Sequence, residues 1–273
     1  MNKIVLPKSY NYIGVFLTLR CNLNCSYCLN RQGEFDYDRE EMPGEYWLDA
    51  LGRIETREDL PLSIQGGEPT IHRDFYDIFS NLYGKHMDLL TNGKFNVAEF
   101  MGYFHSHVFN RKAPYASIRF SHHKDRNEAY LMDKLPQLKN AGYNIGVWGF
   151  NNQDNKLMQD FCKSYEIDYR IKEYLDDKHG TYKYPEALDG KPKRVLCKPS
   201  ELLIAPDGKM YRCHSDLYAA VNSYGHILDE SIELPENFSM CDRCGLCNPC
   251  DIKLKTNRLQ ESGHCSVEIR ECQ

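Results

Sequence analysis

The segment Thr18-Leu-Arg-Cys-Asn-Leu-Asn-Cys-Ser-Tyr-Cys28 follows a short apolar run and holds three cysteines. Cys21, Cys25 and Cys28 have the spacing C-x3-C-x2-C. Thiolates this close together can bind one iron–sulfur cluster from a single loop. Three cysteine ligands leave one iron of a four-iron cluster open to a small molecule, as an open position marks a catalytic zinc. A structural zinc site is the alternative, but zinc usually takes four ligands and the next histidine is His72.

The C-x3-C-x2-C spacing, with aromatic Tyr27 just before the last cysteine, resembles the signature of radical S-adenosylmethionine enzymes. In that family the amino and carboxylate groups of S-adenosylmethionine chelate the open iron. An electron from the [4Fe-4S] cluster then cleaves the sulfonium to a 5′-deoxyadenosyl radical. The resemblance implies that Cys21, Cys25 and Cys28 are cluster ligands, and that Tyr27 packs near the adenine.

Strand-like and helix-like segments alternate along the first two thirds of the chain. This order argues for a parallel sheet, and the resemblance implies a partial barrel of six such units. We therefore expect an α/β protein with a partial (β/α)6 TIM-like barrel. A proline, Pro136, is expected to kink or split one of the helices. The predicted strands are 12–20, 61–65, 86–90, 116–120, 144–150 and 167–174, and the predicted helices are 44–56, one following Asp74, 128–141 and 156–165.

Two short motifs follow the second and third predicted strands. Gly66-Gly67-Glu68-Pro69 resembles the segment whose backbone and glutamate hold the amino group of S-adenosylmethionine. Two glycines at a strand end permit close backbone approach. Thr91-Asn92-Gly93 resembles the turn that caps the third strand of the family. In barrels of this kind chemistry collects at the carboxyl ends of strands.

The fourth and fifth predicted strands also end in polar residues. The resemblance implies that Ser121 contacts the ribose or carboxylate of S-adenosylmethionine, and Asn151 is a candidate for a sugar contact. His122, His123 and Asp125 are of the types that transfer protons. A solvated loop is the alternative for each of these three.

The pattern changes after residue 176. We expect the barrel to occupy residues 1–176 and a polar linker 177–196, with a small C-terminal cysteine-rich domain at 197–273. A β-hairpin is predicted at 202–212, because Asp207-Gly208 separates two β-rich runs.

Eight further cysteines lie in this region. Their arrangement resembles the auxiliary-cluster domains called SPASM and Twitch, which hold two or one additional [4Fe-4S] clusters, although Leu254 stands where the SPASM pattern has a cysteine. Two clusters are favoured over one, and structural zinc is the remaining alternative. A single Twitch-like cluster would use Cys197, Cys213, Cys241 and Cys244. The candidate ligands are Cys197, Cys213, Cys241, Cys244, Cys247, Cys250, Cys265 and Cys272.

Composition narrows the class of protein. The net charge of −5 does not favour binding to a nucleic acid, although the basic stretch 191–198 leaves a nucleic-acid substrate as an alternative. No apolar run is long enough to cross a membrane, and the N-terminus lacks the apolar core of a signal peptide. Twelve clustered cysteines without such a peptide favour metal clusters in a reducing cytoplasm over disulfides.

The function expected from the resemblance is hydrogen abstraction from a carbon of a small molecule or peptide, leading to an oxidation or modification. Auxiliary clusters would assist, and a flavodoxin or ferredoxin would supply electrons. The first strand is expected to begin near Tyr12, which leaves no room for an N-terminal peptide-recognition domain and favours a small molecule, or a peptide held by the barrel mouth alone. The alternative is an iron–sulfur electron-transfer protein without substrate chemistry of its own.

Overall fold

The computed structural model describes residues 2–25, 28, 39–113, 115–172, 193–244 and 267–271. Strands and helices alternate through residue 172, as predicted. The elements in chain order are β1 (Tyr12–Thr18), α1 (Gly44–Arg53), β2 (Leu62–Gly66), α2 (Phe75–Ser80), β3 (Met87–Thr91), α3 (Val97–Tyr103), β4 (Ile118–Ser121), α4 (Lys124–Asn140), β5 (Ile145–Phe150), α5 (Lys156–Ser164), β6 (Asp168–Lys172), β7 (Lys193–Pro199), β8 (Glu201–Ile204), β9 (Lys209–Tyr211), α6 (His214–Ala219), β10 (Gly225–His226), β11 (Ser239–Cys244) and β12 (Val267–Glu271).

Strands β1 to β6 pair in sequence order, and every one of these pairs is parallel. The expected α/β architecture, a partial barrel of six βα units, is confirmed. Because parallel strands start at the same edge, the carboxyl ends of β1 to β6 lie together along one edge. This edge carries the cysteine loop after β1 and the motifs after β2 and β3.

The two faces of the sheet differ in what covers them. Ile13, Val15 and Leu17 of β1 are fully buried in the main core, which includes residues of α1 to α5. Phe16 points to the opposite face and packs in a second cluster with Leu203. We call the helix-covered side the outer face and the other side the inner face.

The predicted hairpin at 202–212 forms as β8 and β9. Gly208 adopts a positive φ of 77° in the turn between them, a conformation that favours glycine. Strand β8 also pairs with β1 in parallel, so the hairpin, together with β10 beside β9, extends the barrel sheet to nine strands. Helix α6 covers the inner face of this extension, where His214 and Tyr218 pack edge-on against Phe16.

A separate three-stranded sheet has the order β11-β7-β12, with both pairs antiparallel. Strand β7 takes in the last four residues of the predicted linker, and residues 177–192 lie outside the described residues.

Two helices differ from the sequence-based expectation. Helix α4 begins earlier than predicted and runs through Pro136 as one element, so of the two effects expected of this proline, a kink or a split, the split does not occur. Helix α3 was not predicted. Its start is fixed by Asn96, whose side chain accepts hydrogen bonds from the backbone N–H groups of Ala98 and Glu99.

Candidate active site

The cysteine loop leaves the carboxyl end of β1, and two N–H groups point at the Cys21 sulfur. The backbone N–H of Leu23 lies 3.4 Å from Cys21 Sγ, and Asn92 Nδ2 lies 3.6 Å from it. Cys25 and Cys28 form a turn in which the Cys28 N–H donates to the Cys25 carbonyl at 3.2 Å. The N–H groups of Leu23 and Asn92 suit a cysteine thiolate that binds a cluster, because hydrogen bonds to the ligand sulfurs help to set the reduction potential of an iron–sulfur cluster. Tyr27 lies outside the described residues.

Asn92 ties the cysteine loop to the turn after β3. Its amide nitrogen also donates to Asn22 Oδ1 at 2.8 Å, and Asn22 donates in turn to the Lys94 carbonyl at 3.0 Å. The Asn92 side-chain oxygen accepts from the Lys94 N–H at 2.8 Å. Sequence reasoning selected Asn92 from the turn motif, whereas Asn22 carried no signal beyond its place between the cysteines.

Gly66 and Gly67 permit the closest backbone contact at the site. The Gly67 N–H donates to the Thr18 carbonyl at 2.8 Å. A Cβ at Gly66 would lie 2.2 Å from the Thr18 oxygen, and one at Gly67 would lie 2.0 Å from the Arg20 oxygen. Only glycine fits at these two positions, so the close backbone approach is to the end of β1 and the residues that lead into the cysteine loop.

The Glu68 carboxylate is completely buried and accepts four hydrogen bonds from the protein. Oε1 accepts from the Thr70 hydroxyl at 2.6 Å, the Thr70 N–H at 3.3 Å and the Thr91 hydroxyl at 2.7 Å. Oε2 accepts from the Asn92 N–H at 2.6 Å. Burial raises the pKa of Glu68, and these hydrogen bonds oppose that shift. Glu68 therefore joins the ends of β2 and β3, while buried Pro69 begins the single 3-10 turn that follows.

A second ion pair holds the start of the cysteine loop. Arg20 donates to both carboxylate oxygens of Glu41, at 2.8 Å and 2.7 Å, and the Thr18 hydroxyl also donates to Glu41. Burial acts to raise the pKa of Glu41, but the hydrogen bonds from Arg20 and Thr18 outweigh it and lower that pKa. Sequence reasoning missed this pair, because no spacing rule connects positions 20 and 41.

The end of β4 is bound to the end of β3 through Asn127 on α4. Asn127 Nδ2 donates to the carbonyls of Asn92 and Ser121, at 2.7 Å and 2.8 Å. The half-buried Ser121 thus lies at the same edge as the Thr91-Asn92 turn. Asn151 is exposed at the end of β5, and its N–H donates to the Lys172 carbonyl at 3.1 Å.

His122 is fully buried within a polar network. Its Nε2 lies 2.9 Å from Glu128 Oε2, and its Nδ1 lies 2.9 Å from the Tyr169 hydroxyl. Tyr169 donates to Asn155 Oδ1 at 2.7 Å. Burial lowers the pKa of His122, and Glu128 partly offsets this. Both ring nitrogens of His122 therefore have protein partners, and Gln153 Nε2 lies 3.2 Å from Nδ1 as a further one.

His123 and Asp125 have different surroundings from His122. The His123 ring stacks on Phe150 with 5.6 Å between ring centres. Burial, together with the nearby charges of His122, Lys172 and Arg126, lowers the pKa of His123 to about 4. Asp125 is exposed in the first turn of α4. The three residues predicted for proton transfer are therefore neighbours in sequence without forming one convergent group.

Three of the C-terminal cysteines lie buried near one another. Cys197 on β7 is hydrogen-bonded to Cys241 on β11, and this bond and burial raise the pKa of Cys197. Cys213 lies close enough to Cys197 to raise that pKa further, and Cys213 Sγ accepts from the Asp216 N–H at 3.4 Å. Arg212 lies beside Cys213 and Cys241. Cys244 is on β11, and the remaining predicted ligands Cys247, Cys250, Cys265 and Cys272 lie outside the described residues.

The donor sets of both cysteine groups fit iron–sulfur clusters. In the described ranges, no three His, Cys, Asp or Glu side chains converge closely enough to hold a single metal ion. A four-iron cluster is larger than one ion, and its ligands are thiolates that accept N–H hydrogen bonds. Cys21 and Cys213 each accept such a bond.

The profile described as the Radical SAM superfamily matches residues 15–172, more than half of the chain. Among curated proteins, a probable GTP 3′,8-cyclase of Pyrococcus abyssi is 38% identical over 84 residues, 30% of this chain and 26% of that protein. Mycofactocin maturase MftC of Mycolicibacterium smegmatis is 32% identical over 79 residues, 28% of this chain and 20% of that protein. These matches thus span about a quarter or less of each relative's length.

Two solved structures share the fold. Tagged anSMEcpe with bound AdoMet has a TM-score of 0.54 at 14% identity, covering 81% of this chain and 78% of that one. Streptococcus suis SuiB bound to precursor peptide SuiA has a TM-score of 0.51 at 13% identity, covering 84% of this chain and 62% of that one. In the described part of the chain, no helix is both long and apolar enough to span a bilayer.

Proposed function

The chain belongs to the Radical SAM superfamily, and we propose that it cleaves S-adenosylmethionine reductively to abstract hydrogen from a carbon of a small molecule or peptide. The observation that carries this proposal is the hydrogen-bonded assembly around Cys21. The sulfur accepts from Asn92, and the Asn92 backbone is fixed by Glu68 of the Gly-Gly-Glu-Pro motif. An electron carrier has no need of a three-cysteine loop bound to such a motif.

In this proposal Cys21, Cys25 and Cys28 bind the [4Fe-4S] cluster. When bound together, the cluster and S-adenosylmethionine supply a carbon radical that can remove a hydrogen atom from the substrate. The strand ends hold the cofactor in place. Gly66 and Gly67 bring the β2 backbone against the cysteine loop, and the buried Glu68 fixes the geometry of the two motifs.

Further cofactor contacts are assigned to the same edge of the sheet. We assign Pro69 and Thr91 to the cradle of the amino group, and Tyr27 to the adenine. Ser121 would contact the ribose or carboxylate, and Asn151 the sugar. We also propose His122, His123 and Asp125 for proton transfer. With its pKa lowered to about 4, His123 stays neutral near pH 7 and can act there only as a weak base.

The C-terminal cysteines are proposed to bind auxiliary [4Fe-4S] clusters. Cys197, Cys213 and Cys241 would belong to one cluster, which the buried contact between Cys197 and Cys241 supports. A second cluster would draw its ligands from the remaining candidates. Such clusters could accept an electron from a substrate radical, which makes an oxidation the preferred outcome. The ligands left for partition are Cys244, Cys247, Cys250, Cys265 and Cys272.

Relatives act on both substrate classes in the proposal. They include a probable GTP cyclase and a mycofactocin maturase, and the structure of SuiB, which shares the fold, holds a bound precursor peptide. A flavodoxin or ferredoxin is the proposed reductant.

The test is anaerobic formation of 5′-deoxyadenosine from S-adenosylmethionine with dithionite. We expect wild type to form it and the Cys21/Cys25/Cys28→Ala variant to lose this activity and about four irons. Cys162→Ala is the control, because Cys162 is a buried core residue of α5. A wild-type protein that binds iron but never cleaves S-adenosylmethionine would favour the electron-transfer alternative.

The iron content of the same wild-type preparation gives the number of auxiliary clusters. About twelve irons in wild type would mean two auxiliary clusters, and about eight would mean one. Zinc in place of the C-terminal iron would remove the proposed electron acceptor and, with it, the oxidation.

A further inference from the structure

Arg212 connects the two sheets that carry the C-terminal cysteines. It directly follows β9 of the nine-stranded sheet, and its Nε donates to Asp216 Oδ2 of α6 at 2.7 Å. Its Nη1 donates to the carbonyl oxygen of Met240 at 3.2 Å, and Met240 belongs to β11 of the three-stranded sheet. One guanidinium group therefore joins helix α6 to strand β11.

Both contacts of Arg212 lie next to proposed cluster ligands. Met240 immediately precedes Cys241, and the backbone N–H of Asp216 donates to Cys213 Sγ at 3.4 Å. Arg212 itself immediately precedes Cys213. The side chain of Arg212 therefore holds the segments that carry Cys213 and Cys241 next to each other.

The positive charge of Arg212 lies close to three cysteine sulfurs. Burial acts to lower the pKa of the guanidinium, but Asp216 and the sulfurs of Cys241 and Cys213 raise it overall. The pKa of Cys197 is raised by its hydrogen bond with Cys241 and by burial, and Arg212 opposes that shift. Only 13% of the Arg212 side chain is exposed, so solvent screens its charge weakly.

Asp216 is the counter-ion of Arg212. Its side chain is 1% exposed, and its Oδ1 also accepts from Asn222 Nδ2 at 3.4 Å. The arginine and the aspartate act on the nearby sulfurs with opposite signs. Removing one charge therefore has an effect opposite in direction to removing the other.

We propose that Arg212 raises the reduction potential of the auxiliary cluster bound by Cys197, Cys213 and Cys241. This inference rests on the proposed function, which assigns these cysteines to a cluster. A cluster becomes more negative when it is reduced, so a cation beside its ligands favours the reduced form. The proposed oxidation requires an electron acceptor, and a higher reduction potential makes the cluster a better one. Arg212 is thus a positioning residue that also sets the charge around the cluster.

Anaerobic redox titration, followed by electron paramagnetic resonance of the reduced clusters, tests the proposal. It is run on the reconstituted wild type and in the Cys21/Cys25/Cys28→Ala background, where only the C-terminal clusters contribute. At a fixed potential, Arg212→Gln should raise the ratio of oxidised to reduced cluster about tenfold or more. A tenfold change corresponds to a fall of about 59 mV in the midpoint of a one-electron couple.

Two further variants separate the charge of Arg212 from its hydrogen bonds. Asp216→Asn should change the same ratio in the opposite direction, because the cation loses its counter-ion. Arg212→Lys keeps the charge without the planar group that makes both contacts, so its ratio should stay closer to that of wild type than that of Arg212→Gln. A purely structural role predicts no such difference between lysine and glutamine.

The matched controls are Arg57→Gln and Asp59→Asn. These two residues form an arginine–aspartate pair at 2.8 Å, and both are exposed. Their replacement removes the same charges at the surface and should leave the titration unchanged. Iron content is measured for every variant, so that potentials are compared between proteins that carry the same clusters.

An unshifted midpoint in iron-loaded Arg212→Gln would overturn the inference, as would a shift of the same sign in Asp216→Asn. Loss of the C-terminal iron from Arg212→Gln, Arg212→Lys and Asp216→Asn alike would reduce Arg212 to structural support and also overturn it. A wild type without C-terminal iron would count against the proposed auxiliary cluster as well, whereas unshifted midpoints in an iron-loaded protein count against the inference alone.

Discussion

Replacing Glu68 by glutamine tests the hydrogen-bond network that joins the two cofactor motifs. The carboxylate Oε1 accepts three donors and Oε2 accepts one, the Asn92 N–H at 2.6 Å. The glutamine amide can be placed in two orientations, and the one with its oxygen in the Oε1 position keeps three of the four hydrogen bonds. In that orientation the new NH2 group faces the Asn92 N–H. The two hydroxyl donors can rotate, but a backbone N–H cannot.

The expected loss of stability follows from these contacts. Glu68→Gln removes one charge-assisted hydrogen bond, weakens three others and leaves a buried N–H without an acceptor. Hydrogen bonds to charged groups contribute about 1.5–3 kcal/mol, and an unsatisfied buried donor costs about 1–3 kcal/mol. Because relaxation recovers part of this, we expect a decrease of about 2–4 kcal/mol in the free energy of unfolding.

Anaerobic urea unfolding, followed by circular dichroism, measures this change. Glu230→Gln is the control, since Glu230 is exposed. In the same variant the Asn92 side chain should withdraw from Cys21 Sγ. The loss of this hydrogen bond should shift the reduction potential of the cluster, measured by cyclic voltammetry, or change its absorbance spectrum. A Glu68→Gln protein that unfolds within about 0.5 kcal/mol of wild type would refute the reasoning.

Three further changes have expected outcomes. Gly67→Ala should displace the cysteine loop and lower the iron content on reconstitution, because its Cβ would lie 2.0 Å from a backbone oxygen. Gly52→Ala on α1 is the control: its Cβ would meet no atom within 4 Å, so the change should be neutral or stabilising. His123→Phe should reduce the loss of stability between about pH 6.5 and 4, measured by thermal unfolding, because the lowered pKa of His123 means that the unfolded chain binds the proton there and wild-type stability falls as the pH falls. Glu41→Gln should lower the free energy of unfolding by only about 0–1 kcal/mol in urea, since the Arg20 side chain that it pairs with is half exposed; a loss above about 2 kcal/mol would contradict this.

The barrel was predictable because its signals are local. Each predicted strand is a short β-rich run, and the helices between them show apolar spacing, as in Trp47 and Leu51 of α1. Helix α3 gave too weak a signal, since Val97 and Phe100 are its buried residues. The pairing of β8 with β1 was not predictable, because it joins residues such as Tyr12 and Glu201 that no local pattern connects.

The features of the site that could be predicted from the sequence are likewise its local motifs, and those that could not are its long-range contacts. The cysteine spacing and the Gly66-Gly67 pair could be selected from sequence, because each needs particular residue types at fixed positions. The Arg20–Glu41 pair and the bridging role of Asn127 could not, because they depend on which strand ends become neighbours. Arg212 also carried no motif, and its contact with Met240 depends on the approach of β11 to α6.

Glu68 shows what the structure adds to a motif that sequence had already selected. The motif predicts that its glutamate and backbone hold the amino group of S-adenosylmethionine. The carboxylate, however, is completely buried and accepts four hydrogen bonds from Thr70, Thr91 and Asn92. A direct contact with the cofactor would have to share oxygens that already have donors. We therefore expect Glu68 to act mainly by fixing the backbone of its own turn and of Asn92, so that replacing it should alter both cofactor affinity and the environment of Cys21.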